Sequence, residues 1–327
     1  MIARRTMLFG LGGLALAGAG YTAGAFREAR TQAKNRLFAG SEVIDARAGG
    51  LEFARAGNGP PLMMIHGTGG GFDQGLLFAA GLRQRGFRII APSRFGYLGS
   101  AFPDDASPSH QADVLVDLLD HLEIDSLPVI GGSAGALTAA EFALRHPTRC
   151  SHLGLLVPAT NLTNLDPVAF TVLQQAAVDV VLGSDFWFWA LSRLVPGQMV
   201  GTLLATDPAL LDQVPDQERR RARAILDQIF PISRKVNGLK TDGVWAGTPT
   251  TTAHDRIGVP TLILSCEDDR FGTAATARLL AERIPRAELT VFPTGGHIWL
   301  GHDEDVAHRI SQFVRAGRAG PAGAEKP

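Results

Sequence analysis

Seven short apolar runs, separated by stretches of helical period, constrain this chain more than any other feature. They are Leu51–Ala54, Pro61–His66, Phe87–Ala91, Leu127–Ile130, Leu153–Val157, Thr261–Ser265 and Leu289–Phe292, each of strand length. Between them fall Phe72–Arg85, Ser109–Leu122, Ala134–Arg145, Thr273–Ile284 and Asp303–Val314, and the second of these gathers Val114, Leu115, Leu118, Leu119 and Leu122 on one face. Strands that alternate with helices predict an α/β fold: a mostly parallel central sheet with helices on both faces. The unbroken apolar character of the runs fits strands buried on both sides.

The alternation lapses once. From about Pro158 to Asp255 no strand pattern is legible, and amphipathic segments, Asp-Pro and Val-Pro breaks and the cluster Phe186-Trp187-Phe188-Trp189 take its place. We expect a helical lid insertion over about 158–255, set on the C-terminal edge of the sheet where open α/β sheets bind ligands. Its aromatic residues suggest an apolar substrate, with Trp187 and Trp189 as possible pocket walls.

At 327 residues the chain is long enough for two domains, or for one carrying a large insertion. Its 38 glycines and 19 prolines fall short of the combined share of roughly 25–30% that marks low-complexity chains. A formal charge of −1 leaves no basic excess for a phosphate backbone, so no nucleic-acid partner is expected. Cys150 and Cys266 allow at most one disulfide and cannot build a zinc cluster by themselves; both read as free and buried.

The two ends carry different signals. Between Arg5 and Arg27 lie 21 residues without a charge, enough at ~1.5 Å per residue to just cross a bilayer of ~30 Å. Residues 1–36 are therefore expected to be a signal or membrane-anchor segment, and Arg4-Arg5-Thr6-Met7-Leu8 is similar to a twin-arginine export signal. Small residues offer A-x-A cleavage sites, yet Arg27, Arg30, Lys34 and Arg36 follow at once, so a cleaved, exported form (periplasmic or extracellular) and a membrane-anchored form are both open. Residues 317–327 are small and polar and read as a disordered tail.

Chemistry concentrates in the loops after the apolar runs. Leu127–Ile130 leads into Gly131-Gly132-Ser133-Ala134-Gly135 and then a helix, the strand, sharp turn, helix setting that exposes a serine nucleophile. A serine hydroxyl needs a base to take its proton and a third group to orient the base. The acids Glu267-Asp268-Asp269 follow one strand, and Gly295-Gly296-His297 follows the last. A fourth loop, His66-Gly67-Thr68-Gly69-Gly70-Gly71, begins at the end of Pro61–His66 and suits an oxyanion hole, with the N–H groups of Thr68 and Ala134 as donors. His66 and Gly67 border the expected pocket, and Trp299 lines it or packs below it. The Gly-Lys-Ser/Thr ending of a phosphate loop is absent.

Together these pieces, with Ala91-Pro92-Ser93-Arg94-Phe95-Gly96-Tyr97-Leu98-Gly99-Ser100, resemble the α/β-hydrolase superfamily of esterases, lipases and carbon–carbon hydrolases over residues 41–316. The resemblance maps the family's G-x-x-D turn onto Cys266–Asp269, which implies Asp269 as the acid and leaves Asp268 as the fallback. It implies Ser133 as nucleophile and His297 as general acid and base, without metal or organic cofactor. Serine at position 133 argues against epoxide hydrolase and haloalkane dehalogenase activity, which use an aspartate there. The reading that follows is a carboxylic-ester or thioester hydrolase acting on a small-molecule acyl substrate. A carbon–carbon bond hydrolase or cofactor-free perhydrolase would use the same triad, and the former would call on a lid arginine among Arg193, Arg219–Arg221, Arg223 and Arg234. A non-catalytic receptor or scaffold on this fold is the contrasting class.

Overall fold

The computed structural model describes residues 2–38, 40–162 and 180–316, with side chains from Gly20 onward. The expected tail, residues 317–327, and residues 163–179 of the expected lid lie outside them.

Eight strands form one sheet in the order β1-β2-β4-β3-β5-β6-β7-β8. They are β1 (Ser41–Ala46), β2 (Gly49–Ala56), β3 (Pro61–Ile65), β4 (Arg88–Pro92), β5 (Leu127–Gly132), β6 (Cys150–Leu156), β7 (Thr261–Cys266) and β8 (Ala287–Phe292). The first two pairings, β1 with β2 and β2 with β4, are antiparallel and all others parallel. β5 and β7 are buried throughout, as their continuous apolar character requires. β1 escapes the sequence pattern because it is an edge strand, Ser-Glu-Val-Ile-Asp-Ala, whose side chains are largely in solvent and so need no apolar run.

Strand alternation sends neighbouring side chains to opposite faces. Met63, Ile65 and Val129 enter a core shared with α4 (Pro108–His121), α5 (Gly135–Arg145) and α10 (Thr273–Arg283). Leu62, Met64 and Ile130 enter the other, built with α2 (Phe72–Phe78), α3 (Ala80–Gln84) and α11 (Asp303–Ala316). Local chemistry fixes the helix limits: α4 starts where the Ser107 hydroxyl accepts the His110 N–H at 3.2 Å, with Pro108 in the first turn. The helix expected over Phe72–Arg85 breaks in two at Ala79.

Between β6 and β7 the described residues form α6 (Asp185–Leu194), α7 (Pro196–Leu203), α8 (Asp216–Ile229) and α9 (Val236–Gly247), with short 3₁₀ turns between them. A third apolar core unites them and includes the N-terminal helix α1 (Ile2–Phe38). Ala29, Ala33 and Leu37, four residues apart on one face of α1, are buried. The Phe26 ring meets Phe186 and Trp189 at 5.4 Å each.

Part of the expected N-terminal segment thus belongs to the packed structure. Its later part, from Ala25 on, packs against the body of the protein, although a boundary was expected after residue 36. Among the described residues no helix is long and apolar enough to cross a membrane. Of the uncharged run Thr6–Phe26, the side chains of residues 6–19 lie outside the described residues.

Candidate active site

Parallel strands deliver their following loops to one edge of the sheet, and the four expected loops meet there. Pairing of β3 with β5, Ile65 opposite Gly131, sets the loop after β3 beside the turn after β5. At that turn Ser133 has φ 53°, a left-handed conformation that costs a non-glycine residue on the order of 1–3 kcal/mol. The surroundings enforce it: the Ser133 N–H donates to the Leu156 carbonyl at 2.8 Å, and α5 starts two residues on. Glycine at 135 permits the close approach, since a Cβ there would stand 2.5 Å from the carbonyl oxygens of Ile65 and His66.

Ser133, His297 and Asp269 are in line. Ser133 Oγ lies 2.7 Å from His297 Nε2, and His297 Nδ1 lies 2.8 Å from Asp269 Oδ2. Asp269 is buried and also accepts the Phe271 N–H at 2.9 Å and the Thr273 hydroxyl. Burial is the largest influence on its carboxyl and opposes ionisation, but His297 and the two donors outweigh it and hold Asp269 below the usual carboxylate range. Asp268, the fallback acid, has a different task. Its carboxylate accepts the N–H groups of Gly295 (3.2 Å) and Gly296 (2.8 Å) and so shapes the turn that carries His297.

The loop after β3 lies against the serine, for a Cβ on Gly67 would sit 3.0 Å from that of Ser133. Among the described residues, the N–H groups of Thr68 and Ala134 donate to no protein acceptor. Thr68 is exposed and Ala134 buried. His66 faces inward: Nδ1 contacts the Gly67 carbonyl at 2.7 Å and Nε2 accepts the Arg94 N–H at 2.9 Å. Burial first, then the charge of Arg94, pushes its pKa well below the ordinary histidine value, so the ring is neutral and braces the loop.

The rest of the brace was not visible in the sequence. Gln74 Oε1 accepts the Gly67 N–H at 3.0 Å. The Tyr97 hydroxyl accepts the Gly69 N–H at 3.2 Å and donates to Asp242 of α9 at 2.5 Å. Arg94 binds the same Asp242 through two 2.6 Å contacts, and this buried pair keeps the arginine charged although burial opposes it. Lys235, fully buried, donates to the Gly69 carbonyl at 3.2 Å and to that of Gln228, and burial lowers its pKa to about 8. Arg36 of α1 contacts Asp73 at 3.2 Å and donates to the Phe230 carbonyl at 2.7 Å. Only the quoted Ala91–Ser100 stretch could have pointed to Arg94 and Tyr97; Asp242 and Lys235 come from the insertion.

The expected aromatic walls divide. Trp299 is buried beneath the site, edge-on to Phe78 at 5.1 Å, with its Nε1 donating to Asp303 at 3.2 Å. The ring contacts of Trp189 are with Phe26 and Phe186, and Trp187 is half-exposed against Phe186. Phe271, exposed, meets the trio edge-on at His297, 4.8 Å between centroids, while Ile229 of α8 rests on Gly69.

Comparison with known proteins agrees with this architecture. The family model for the α/β hydrolase fold matches residues 60–301. The chain is 29% identical over 269 residues to a 2-hydroxymuconate semialdehyde hydrolase of Pseudomonas sp. (strain CF600), covering 79% of this chain and 88% of that protein. It is 26% identical over 262 residues to a pimeloyl-[acyl-carrier protein] methyl ester esterase of Chromobacterium violaceum, covering 79% and 95%. Among solved structures, an α/β hydrolase fold protein from Nakamurella multipartita superposes with a TM-score of 0.72 at 24% identity, over 85% of this chain and 99% of the other. An eight-stranded, mostly parallel sheet flanked by helices, a matching family model and relatives that are hydrolases lead to one assignment: the chain is a hydrolase of the α/β-hydrolase fold family.

Proposed function

We propose that the protein is a serine hydrolase of carboxylic esters or thioesters with an apolar acyl group. The observation that carries this reading is the unbroken line from Ser133 Oγ through His297 to Asp269, with 2.7 and 2.8 Å contacts. His297 Nε2 takes the Ser133 proton as Oγ bonds to the substrate carbonyl carbon, and negative charge moves to the carbonyl oxygen. The N–H groups of Thr68 and Ala134 receive that oxyanion, each worth ~2.7–4 kcal/mol. His297 then gives its proton to the departing alcohol or thiol, and the acyl group stays on Ser133. Water, deprotonated by the same nitrogen, adds to the acyl carbon; the proton returns to Ser133 as the acid leaves. Asp269 holds the imidazole in the tautomer with its proton on Nδ1. Phe271 and Ile229 supply apolar surface beside the reacting atoms.

The similarity to a 2-hydroxymuconate semialdehyde hydrolase favours carbon–carbon hydrolysis as the second reading. Among the described residues, five of the six expected lid arginines are engaged elsewhere, Arg220 being the exception, and this weighs against it. Arg221 is tied to Glu218 and to the Ile298 carbonyl, Arg223 to Asp227 and the Ser192 carbonyl, and Arg219 to Asp216. Arg193 lies over Trp189 and Arg234 over Phe38. As for place, the Arg4-Arg5 pair and the uncharged run to Phe26 support an anchored or exported enzyme.

The test treats the full chain with a fluorophosphonate probe, finds the modified residue by mass spectrometry, and repeats with Ser133→Ala and His297→Ala. The expected result is labelling at Ser133 that both variants lose, with aryl-ester turnover rising with acyl length. Turnover of a vinylogous 1,5-diketone acid in preference to every ester would move the assignment to carbon–carbon hydrolysis. Folded protein that neither labels nor turns over either class would point to a receptor.

A further inference from the structure

α1 and residues 231–234 border a groove of about 550 Å³. Its walls carry four cations: Arg27, Arg30 and Lys34, which share one face of α1, and Arg234 from the insertion. In a chain of formal charge −1 this is a local excess of one sign. Among the described residues none of the four forms an ion pair. Asp185, the acid in the wall, is already engaged, accepting the Ser233 N–H and hydroxyl at 2.9 Å each. The floor is apolar. Phe38 is 66% exposed, with Lys34 Nζ 5.8 Å and Arg234 Cζ 5.6 Å from its ring centroid. Cations left unpaired around a concavity, above an exposed aromatic floor, suit an anion that carries apolar carbon close behind its charge.

Two further observations select among such anions. The helix that supplies three of the cations continues toward its N-terminus into the uncharged run that begins at Thr6, so the groove lies where a polar segment meets an apolar one. Beside that junction Tyr21 is 81% and Trp187 51% exposed, the residue types that settle at the headgroup level of a bilayer. We propose that the groove is a binding site for the phosphodiester headgroup of an anionic phospholipid. The four cations would neutralise the phosphate and Phe38 would cover the first carbons of the glycerol. None of the groove's walls belongs to Ser133, His297 or Asp269, so the proposal stands apart from the reading of the reaction.

The test is calorimetric titration of the full chain with a short-chain diether phosphatidylglycerol, which has no ester to hydrolyse, kept below its micellar concentration. Saturable binding is expected. It should weaken about ten-fold or more in Arg30→Gln/Lys34→Gln and about five-fold in Arg234→Gln, with unchanged melting and ester turnover, because each basic residue near a lipid phosphate contributes a several-fold gain in affinity. The matching phosphatidylcholine should bind at least about ten-fold more weakly for the same electrostatic reason. Equal binding of the two lipids, or binding indifferent to removal of the charges, would overturn the proposal. Displacement by inorganic phosphate at equal concentration would do so too, assigning the groove to free phosphate.

Discussion

Lys235 Nζ stands 3.2 Å from the carbonyl oxygen of Gly69, so a residue of the insertion grips the loop that carries Thr68, the proposed oxyanion donor. The same glycine is held through its N–H by Tyr97, and neither grip comes from the sheet. Lys235→Met should therefore lower kcat about 10- to 100-fold, as misplacing a catalytic donor by about 1 Å does, with KM near its original value. Lys235→Arg, which keeps a donor, should recover part of the loss. Steady-state kinetics on an aryl ester would show the split.

The same lysine makes stability depend on pH. Burial lowers its pKa from 10.5 to about 8, so between those values the unfolded chain holds a proton that the folded chain has released. Stability must then rise with pH across that window, since the cost of burying the charge is fully present below pH 8 and relieved above it. Relative to Lys235→Met, the wild-type unfolding free energy should gain on the order of 3 kcal/mol from pH 8 to 10.5. Urea titrations of both proteins at several pH values measure this difference.

Thr273 donates to Asp269 and lies 2.9 Å from Ser265 through the same hydroxyl. Thr273→Val removes a donor that favours the Asp269 carboxylate, so the Asp269 pKa moves up. The acid limb of kcat/KM should shift to higher pH in that variant. Asp269→Asn should do more, lowering kcat by roughly 10⁴ through the wrong histidine tautomer. pH–rate profiles of the three proteins separate these effects.

Asp242 is the counter-charge of a buried arginine. Asp242→Leu would strand Arg94 and should cost about 3–5 kcal/mol in equilibrium unfolding. Adding Arg94→Met to it should return part of that stability, because two apolar groups leave no charge uncompensated.

How much of this is written locally is clear from particular residues. Gly131 to Gly135 announce themselves because a strained turn between strand and helix admits few residue types, and the buried strands because both faces must be apolar. Ser133, His297 and the Asp268-Asp269 pair were legible as candidates since each follows a strand. Which of the two acids meets His297 was decided by backbone direction; Asp268 was drawn to the Gly295 and Gly296 N–H groups instead. β1 hid in a solvated edge. Lys235, Asp242 and Arg36 could not be found, because each acts across more than a hundred residues of chain or from a different layer, and no spacing records that. Trp189 sat in a recognisable aromatic cluster, but a helical face does not name what it will pack on, and its partner is Phe26 of α1.

That partnership has an evolutionary corollary. An N-terminal helix that touches nothing else is free to drift in sequence. Here Phe26, Ala29 and Ala33 are part of the apolar core of the insertion, Leu37 enters the core under the sheet, and Arg36 touches two elements at once. From Phe26 to Ala33 α1 must change in concert with α6 and α8, whose side chains share its core. Any exchange of the chain's first residues would have to stop short of Ala25 to leave this core intact.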